Sequence, residues 1–289
     1  MNTFLEHVAT DLLNKYGTDM AHITVVFPNK RAALFLNQAL ARLADGPVWS
    51  PVYITISDFF RQHSELTIAD PIKSICDLYK SYIEVTGNTN ETLDHFYGWG
   101  QLLLADFDDI DKNMANAHVV FSNINNLKEL DDITYLTDDQ KKELRRFFAN
   151  FDDNPEGIRE RFMALWAKLN DIYNNFNQRL RAQGLAYEGM LYRKVVEKQQ
   201  IEIDSNHYVF VGFNVLQKVE QQLFKRFLKE ERASFYWDYD YYYMQSTNEA
   251  GNYIRSWLDK FPNALPNDNN ELYDNLGKGK NISIISAPT

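Results

Sequence analysis

The sequence is poor in residues that staple or stiffen a chain. Cys76 is the single cysteine among 289 residues. No intramolecular disulfide can form, and this usage suits a reducing, cytoplasmic compartment. Twelve glycines and eight prolines are too few for a fibrous or disordered protein. No uncharged stretch approaches the roughly 20 residues that a membrane-spanning helix needs. The opening run MNTFLEHVATDLLNKYG carries Glu6, His7 and Asp11 among its apolar residues, so it reads as an amphipathic helix and not as a signal peptide. Basic residues are outnumbered, giving a formal net charge of −10. Such a surface repels a polyanion as a whole and leaves room only for a local basic groove.

Catalytic signatures are missing too. A phosphate-binding loop needs Gly-x-x-x-x-Gly-Lys-Ser/Thr between a strand and a helix, so that backbone N–H groups wrap the phosphates. The nearest string, GKGK at 277–280, lacks the hydroxyl residue and precedes a strand-like run, so it reads as a loop. The six histidines, at 7, 22, 63, 95, 118 and 207, are scattered and form no metal-ligand spacing. The run ADFDDIDK (105–112) holds four aspartates. On a helix Asp108 and Asp111 share one face, and Asp106 and Asp109 another. That is half of a magnesium site or, more simply, a solvated face beside buried Phe107 and Ile110. A metal-dependent nuclease needs two acids and a lysine on adjacent strands. The Asp139-Gln140-Lys141 string instead falls in LTDDQKKELRR, a helix start capped by Thr137 or Asp138. No Gly-x-Ser-x-Gly elbow occurs.

What is present is core-forming material: 45% hydrophobic and 14% aromatic residues. HITVVF (22–27) is a β-rich run ended by Pro28, and KRAALFLNQALARLA (30–44) has helical period. VYITIS (52–57) predicts a second strand, with Ser57 or Asp58 capping the helix DFFRQHS. From 66 to 200 helical patterns dominate, at 70–86, 90–114, 138–150, 156–183 and 187–199, and runs rich in Val and Ile are nearly absent. Strand character returns at 207–213, 233–239 and 281–287, alternating with helices at 216–230 and 248–260. Alternation of this kind predicts a parallel α/β sheet. The expected organisation is therefore a discontinuous α/β domain, 1–65 plus 201–289, interrupted by a helical domain at 66–200. The chain stops at ISAPT just after a strand-like run, which reads as the N-terminal part of a longer protein. YWDYDYYYM (236–244) offers aromatic surface for stacking on bases or for packing. Lys30-Arg31 and Lys141, Lys142, Arg145, Arg146 are small basic clusters.

Ordered along the chain, these stretches resemble a known pattern. VVFPNKRAA is similar to motif Ia of superfamily I DNA helicases, a Phe-Thr-Asn-Lys-Ala-Ala turn after a strand that touches single-stranded DNA. Phe27, Asn29, Lys30, Ala32 and Ala33 match; Pro28 replaces Thr, and Arg31 reads as an insertion. HYVFVGFNVLQKVEQQLFKRF (207–227) resembles motif II, with Gly212-Phe213 where an Asp-Glu pair is usual. FYWDYD (235–240) falls at the place of motif III, and LAYEGMLYRKVV (185–196) at the helical segment before motif II. The whole chain resembles the N-terminal, degenerate helicase region of AddB-like helicase–nuclease subunits, whose PD-(D/E)XK nuclease lies at the far C-terminus.

The resemblance implies a P-loop-NTPase-like, helicase 1A-like parallel sheet carrying a large all-helical 1B-like insertion. It implies a non-catalytic role in double-strand-break repair, guiding DNA or docking a helicase–nuclease partner subunit. With neither the phosphate loop nor the acidic pair, no ATPase and no cofactor is expected in this region; magnesium would belong to the nuclease part. DNA contacts are expected at Asn29, Lys30 and Arg31, at Thr55 and Ser57, and at Gly212, Phe213 and Asn214, all at carboxyl ends of parallel strands. A scaffold that binds only protein is the alternative, favoured by the acidic charge. No membrane partner is expected.

Overall fold

A computed structural model of the chain describes residues 3–122, 164–198, 201, 207–266, 268, 270–279, 283–284 and 286. The chain divides into two compact units, one of residues 1–59, 202–216 and 220–289 and the other of residues 60–201 and 217–219.

The first unit is built on a four-stranded parallel sheet. Its strands are β1 (Ile23–Phe27), β2 (Val52–Thr55), β5 (His207–Val211) and β6 (Ala233–Tyr236), in the order β2-β1-β5-β6. Register is set by Phe27 opposite Thr55, Val26 opposite Phe210, and Val211 opposite Tyr236. The carboxyl ends of all four strands therefore form one edge. Every residue of β1 is buried, which is why ITVVF is a continuous apolar run and not an alternating one.

Alternate residues of β1 and β5 face opposite sides. On one side Ile23, Val25, Phe27, Val209 and Val211 pack with Val8, Ala9 and Leu12 of α1 (Phe4–Tyr16) and Leu36, Ala39 and Leu40 of α2 (Arg31–Leu43). The other side is aromatic. Phe210 lies 4.2 Å from Phe224 and 5.5 Å from Phe235 between ring centroids, and Tyr208 stacks on Phe227 at 4.8 Å. Phe224 and Phe227 belong to the helix Lys218–Lys229.

The second unit contains, among its described residues, α4 (Pro71–Thr86), α5 (Leu93–Lys112), α6 (Ala117–Ser122), α7 (Leu169–Ala182) and α8 (Glu188–Glu197). Its helix ends follow the sequence closely. Asp70 accepts hydrogen bonds from the N–H groups of Ile72 (2.9 Å) and Lys73 (3.1 Å), with Pro71 as the first helical residue. Gly87 closes α4 at φ 71°, a left-handed position that favours glycine. α8 approaches α5 so closely that a Cβ on Gly189 would lie 2.4 Å from the Asp108 carbonyl oxygen.

Several expectations need correction. The run 52–57 is not all strand: β2 ends at Thr55, and Ser57 lies inside α3 (Ile56–Gln62). The cap is Thr55, not Ser57 or Asp58. Thr55 N–H and Oγ1–H donate to Asp58 Oδ2 at 3.2 and 2.7 Å, and Asp58 N–H donates back to Thr55 Oγ1 at 3.1 Å, a reciprocal capping box. The stretch 66–200 is not purely helical, because β3 (Thr67–Ile68) pairs in parallel with β4 (Leu185–Ala186). The helix expected at 248–260 is a 3-10 turn, Glu249–Gly251, leading into the short helix Asn252–Leu258. The helix at 138–150, the start of that at 156–183 and the basic cluster at 141–146 lie outside the described residues, as does most of the strand expected at 281–287.

Candidate nucleic-acid interface

The carboxyl edge of the sheet gathers most of the residues singled out from the sequence, but they differ in what they are free to do. β1 runs into Pro28, and Asn29 then starts α2. Its side-chain Oδ1 accepts from the N–H groups of Arg31 (3.1 Å) and Ala32 (3.3 Å). That caps the helix and leaves the amide nitrogen of Asn29 without a hydrogen-bond partner among the described residues. Lys30 and Arg31 are exposed and form no ion pair with any described residue. Two free cations thus stand at a helix start, where the helix dipole also favours anions.

On the neighbouring strands the picture is mixed. Thr55 is buried, with its hydroxyl committed to Asp58, and Ser57 is half-buried in α3, so these two serve the helix start first. Gly212 is exposed at φ 74°, with Phe4 Cε1, 4.0 Å away, the nearest side-chain atom to a Cβ placed there. Phe213 is 4% exposed and packs edge-on to Phe224 at 5.3 Å. Its side chain belongs to the core and offers no surface contact, a correction to its place among the candidates. Asn214 is exposed, while its carbonyl accepts the Trp257 indole N–H at 2.7 Å, which fixes the loop after β5.

Between the ends of β1, β5 and β6 lies a cavity of about 420 Å³. It is lined by Phe27 and Val211 of the strands, Phe4 of α1, Phe35 of α2, and Asn29, Gly212 and Asp238. The first turn of α1 is held in place because Glu6 accepts from Thr3 N–H at 2.6 Å and pairs with Arg42 of α2. Phe35 is 55% exposed. Asp238 is open to the cavity, yet protein surrounds it on most sides, and this desolvation pushes its carboxyl above the usual carboxylate range.

Phe4, Phe35 and Asp238 were not legible as site residues. Phe4 reaches the cavity from an element far away in sequence, and Phe35 looks like any apolar residue of an amphipathic helix. Asp238 had one usable signal, its position two residues past a strand that ends at the same edge as Phe27.

Two other expectations resolve differently. In YWDYDYYYM, Tyr236 and Trp237 are core residues. The Tyr236 hydroxyl donates to Asp11 at 2.6 Å and the Trp237 indole to the Phe261 carbonyl at 2.9 Å. Tyr242 and Tyr243 remain exposed. The four aspartates of 105–112 do not converge. Asp108 accepts Gly189 N–H (2.6 Å) and pairs with Lys112 (2.7 Å). Asp111 is buried, accepting from Tyr173 (2.6 Å), Tyr187 (2.5 Å) and Arg193 (3.2 Å). Among the described residues no group of three or more His, Cys, Asp or Glu side chains is placed to hold a metal ion. No described helix is long and apolar enough to cross a membrane.

No protein-family model matches the chain, and no curated protein matches it.

Proposed function

We propose that the carboxyl edge of the sheet binds single-stranded or end-containing DNA without catalysing a reaction. In this reading the chain is the degenerate superfamily I helicase-like region of an AddB-like helicase–nuclease subunit. The sheet unit corresponds to domain 1A and the helical unit to the 1B insertion. The region guides DNA during cytoplasmic double-strand-break processing and docks a partner subunit; in AddB-like subunits the nuclease chemistry belongs to a separate C-terminal region.

One observation carries the reading: Lys30 and Arg31 are exposed and unpaired among the described residues, at the start of a helix and at the edge where open parallel sheets place their ligands. On a chain of net charge −10, two free cations beside an open cavity are a local exception. Phosphate contacts of this kind give salt-dependent affinity, with a slope of about 0.7 per phosphate neutralised on a single strand. A fluorescence anisotropy titration with labelled single-stranded DNA at two salt concentrations tests it. Binding that weakens with salt, and weakens several-fold in the Lys30→Ala/Arg31→Ala variant, is expected; salt-independent binding would remove phosphate contact from the account.

The region has no ATPase of its own in this reading, because Gly212 and the buried Phe213 replace the acidic pair that would hold magnesium. Isothermal calorimetry showing tight Mg-ATP binding would contradict that part.

A second reading, docking of protein alone, is favoured by exposed apolar side chains on α2 and before the edge strand β2: Leu34 and Trp49 are each 72% exposed. Loss of every DNA signal with retained co-purification of a helicase subunit is the outcome that selects it.

A further inference from the structure

Three tyrosines of the sheet unit are exposed on backbone that is held fixed. Tyr242 and Tyr243 lie on the 3-10 turn Tyr241–Met244, and their rings meet edge to face at 5.4 Å between centroids. Tyr253 is exposed on the short helix Asn252–Leu258, which packs against that turn. The Arg255 guanidinium donates to the carbonyls of Tyr243 and Gln245, each at 2.8 Å, and of Asn248 at 2.9 Å. Asp240 accepts from Tyr242 N–H at 3.0 Å and from the N–H groups of Asn275 and Leu276, each at 2.8 Å. Gly251 lies so close to the turn that a Cβ there would run into the Tyr243 carbonyl. Aromatic side chains on such a support lose little freedom when a partner covers them.

The surroundings are acidic. From 240 to 276 the chain carries six acids and two bases. One base, Arg255, is spent on the loop carbonyls; the other, Lys260, lies over the Trp257 ring at 4.9 Å. Asp268 and Asp274 are exposed and form no ion pair with a described residue. Burial, and then the charges of these two carboxylates, push the Tyr241 hydroxyl above its ordinary range, so both stand near the turn. A surface of this sign repels a nucleic-acid strand and attracts cations. Ring faces attract cations as well, and a planar guanidinium stacks on tyrosine and pairs with carboxylates better than an ammonium does.

We propose that Tyr242, Tyr243 and Tyr253 form a docking surface for an arginine-bearing segment of a partner protein, with Asp268 and Asp274 supplying the counter-charge. The proposal rests on the subunit-docking part of the reading above and is independent of its DNA part.

Two labelled peptides of equal charge and length, oligoarginine and oligolysine, test it by fluorescence anisotropy against the whole chain. Long-range attraction to a chain of net charge −10 acts on both alike, so the difference between them reports stacking. Oligoarginine is expected to bind about fivefold more tightly, the scale of one exposed cation–π contact. Tyr242→Ala/Tyr253→Ala keeps the net charge and is expected to bring the two affinities together, whereas Tyr242→Phe/Tyr253→Phe keeps the preference. Asp268→Asn/Asp274→Asn is expected to weaken both peptides more than Asp94→Asn/Asp109→Asn, which removes two exposed acids from the helical unit. All the altered side chains are exposed, and unchanged thermal melts would confirm that the variants fold.

Equal affinities for the unaltered chain, or an arginine preference that survives Tyr242→Ala/Tyr253→Ala, would overturn the docking surface. Equal weakening by the two aspartate pairs would overturn it too. A helicase subunit that co-purifies alike with the unaltered chain and with the tyrosine-to-alanine variant would overturn this surface and leave the docking reading standing. No co-purification with either would sink both.

Discussion

The polar clusters around Asp111, Lys112 and Asp77 in the helical unit and the carboxyl edge of the sheet unit handle charge in opposite ways. Inside the helical unit, Asp111 meets two tyrosine hydroxyls and Arg193, and Arg193 also donates to the Ala115 carbonyl at 2.8 Å. Lys112 pairs with Asp108 and Glu188, each at 2.7 Å. Asp77 accepts from Lys73 at 2.9 Å and Gln183 at 3.1 Å. At the carboxyl edge of the sheet unit, Lys30 and Arg31 make no ion pair with a described residue, the Asn29 amide nitrogen is unbonded among them, and Asp238 borders an open cavity. Buried, paired polar groups rigidify a fold, whereas exposed ones are solvated and can exchange water for a ligand. The contrast separates the part of the molecule that holds shape from the part proposed to bind.

The contrast breaks most severely at Asp111. Asp111→Ala leaves Arg193, the buried Tyr187 and the half-buried Tyr173 without their acceptor, and a loss of about 3 kcal/mol or more is expected, read by urea denaturation. Gly189→Ala forces a methyl group onto the Asp108 carbonyl where α5 and α8 meet. A cost of about 1–3 kcal/mol is expected in the same assay. Asp70→Ala removes the cap of α4 and should cost about 1 kcal/mol. Lys30→Ala/Arg31→Ala belongs at the other end of the scale, with stability unchanged within about 0.5 kcal/mol. A large destabilisation by that pair would erase the distinction between the two regions.

Acid separates paired carboxylates from unpaired ones, and both kinds occur in the helical unit, where burial pushes Asp106 up to about 6 and raises Glu91. Burial alone would raise Asp77 and Glu188. For Asp77 the hydrogen bonds and charges of Lys73, Gln183 and Lys80 outweigh it, and for Glu188 those of Lys112, Tyr192 and Arg61, so both are held below the ordinary range. Their contribution to stability is complete above the unfolded carboxylate range and is lost as pH falls below about 4 toward their folded values. Asp238 has the reverse sign. Burial raises it, so its contribution is complete below the unfolded value and is lost as pH rises through the folded one. In thermal melts across pH, Asp77→Asn is expected to flatten the acid limb, whereas Asp238→Asn should stabilise the chain mildly at neutral pH. A steeper acid limb for Asp77→Asn would contradict the pairing.

Much of the fold was legible because local signals and burial agree. HITVVF is a strand buried on both faces, and its run of apolar residues ended by Pro28 announces it. Asp70-Pro71 and Gly87 mark the two ends of α4 by capping chemistry that needs no tertiary context. Thr55 was misread because VYITIS is β-rich throughout, and only the return contact from Asp58 shows where the helix takes over. The β3–β4 pair was invisible, since two residues in each strand carry no periodicity and their partners lie far apart in sequence.

At the site, the turn Asn29-Lys30-Arg31 was readable from the strand–turn–helix pattern. Phe213 was misplaced because position in a motif does not report which way a side chain points. The aspartates of 105–112 carried a metal-like composition, yet their partners, Gly189, Tyr173, Tyr187 and Arg193, come from distant helices.

Hydrogen–deuterium exchange with and without single-stranded DNA tests the division most directly. The account predicts protection on DNA addition in peptides covering 27–35, 211–215 and 236–239, with α4, α5 and α8 unchanged. Protection confined to those helices, or none anywhere at saturating DNA, would contradict it.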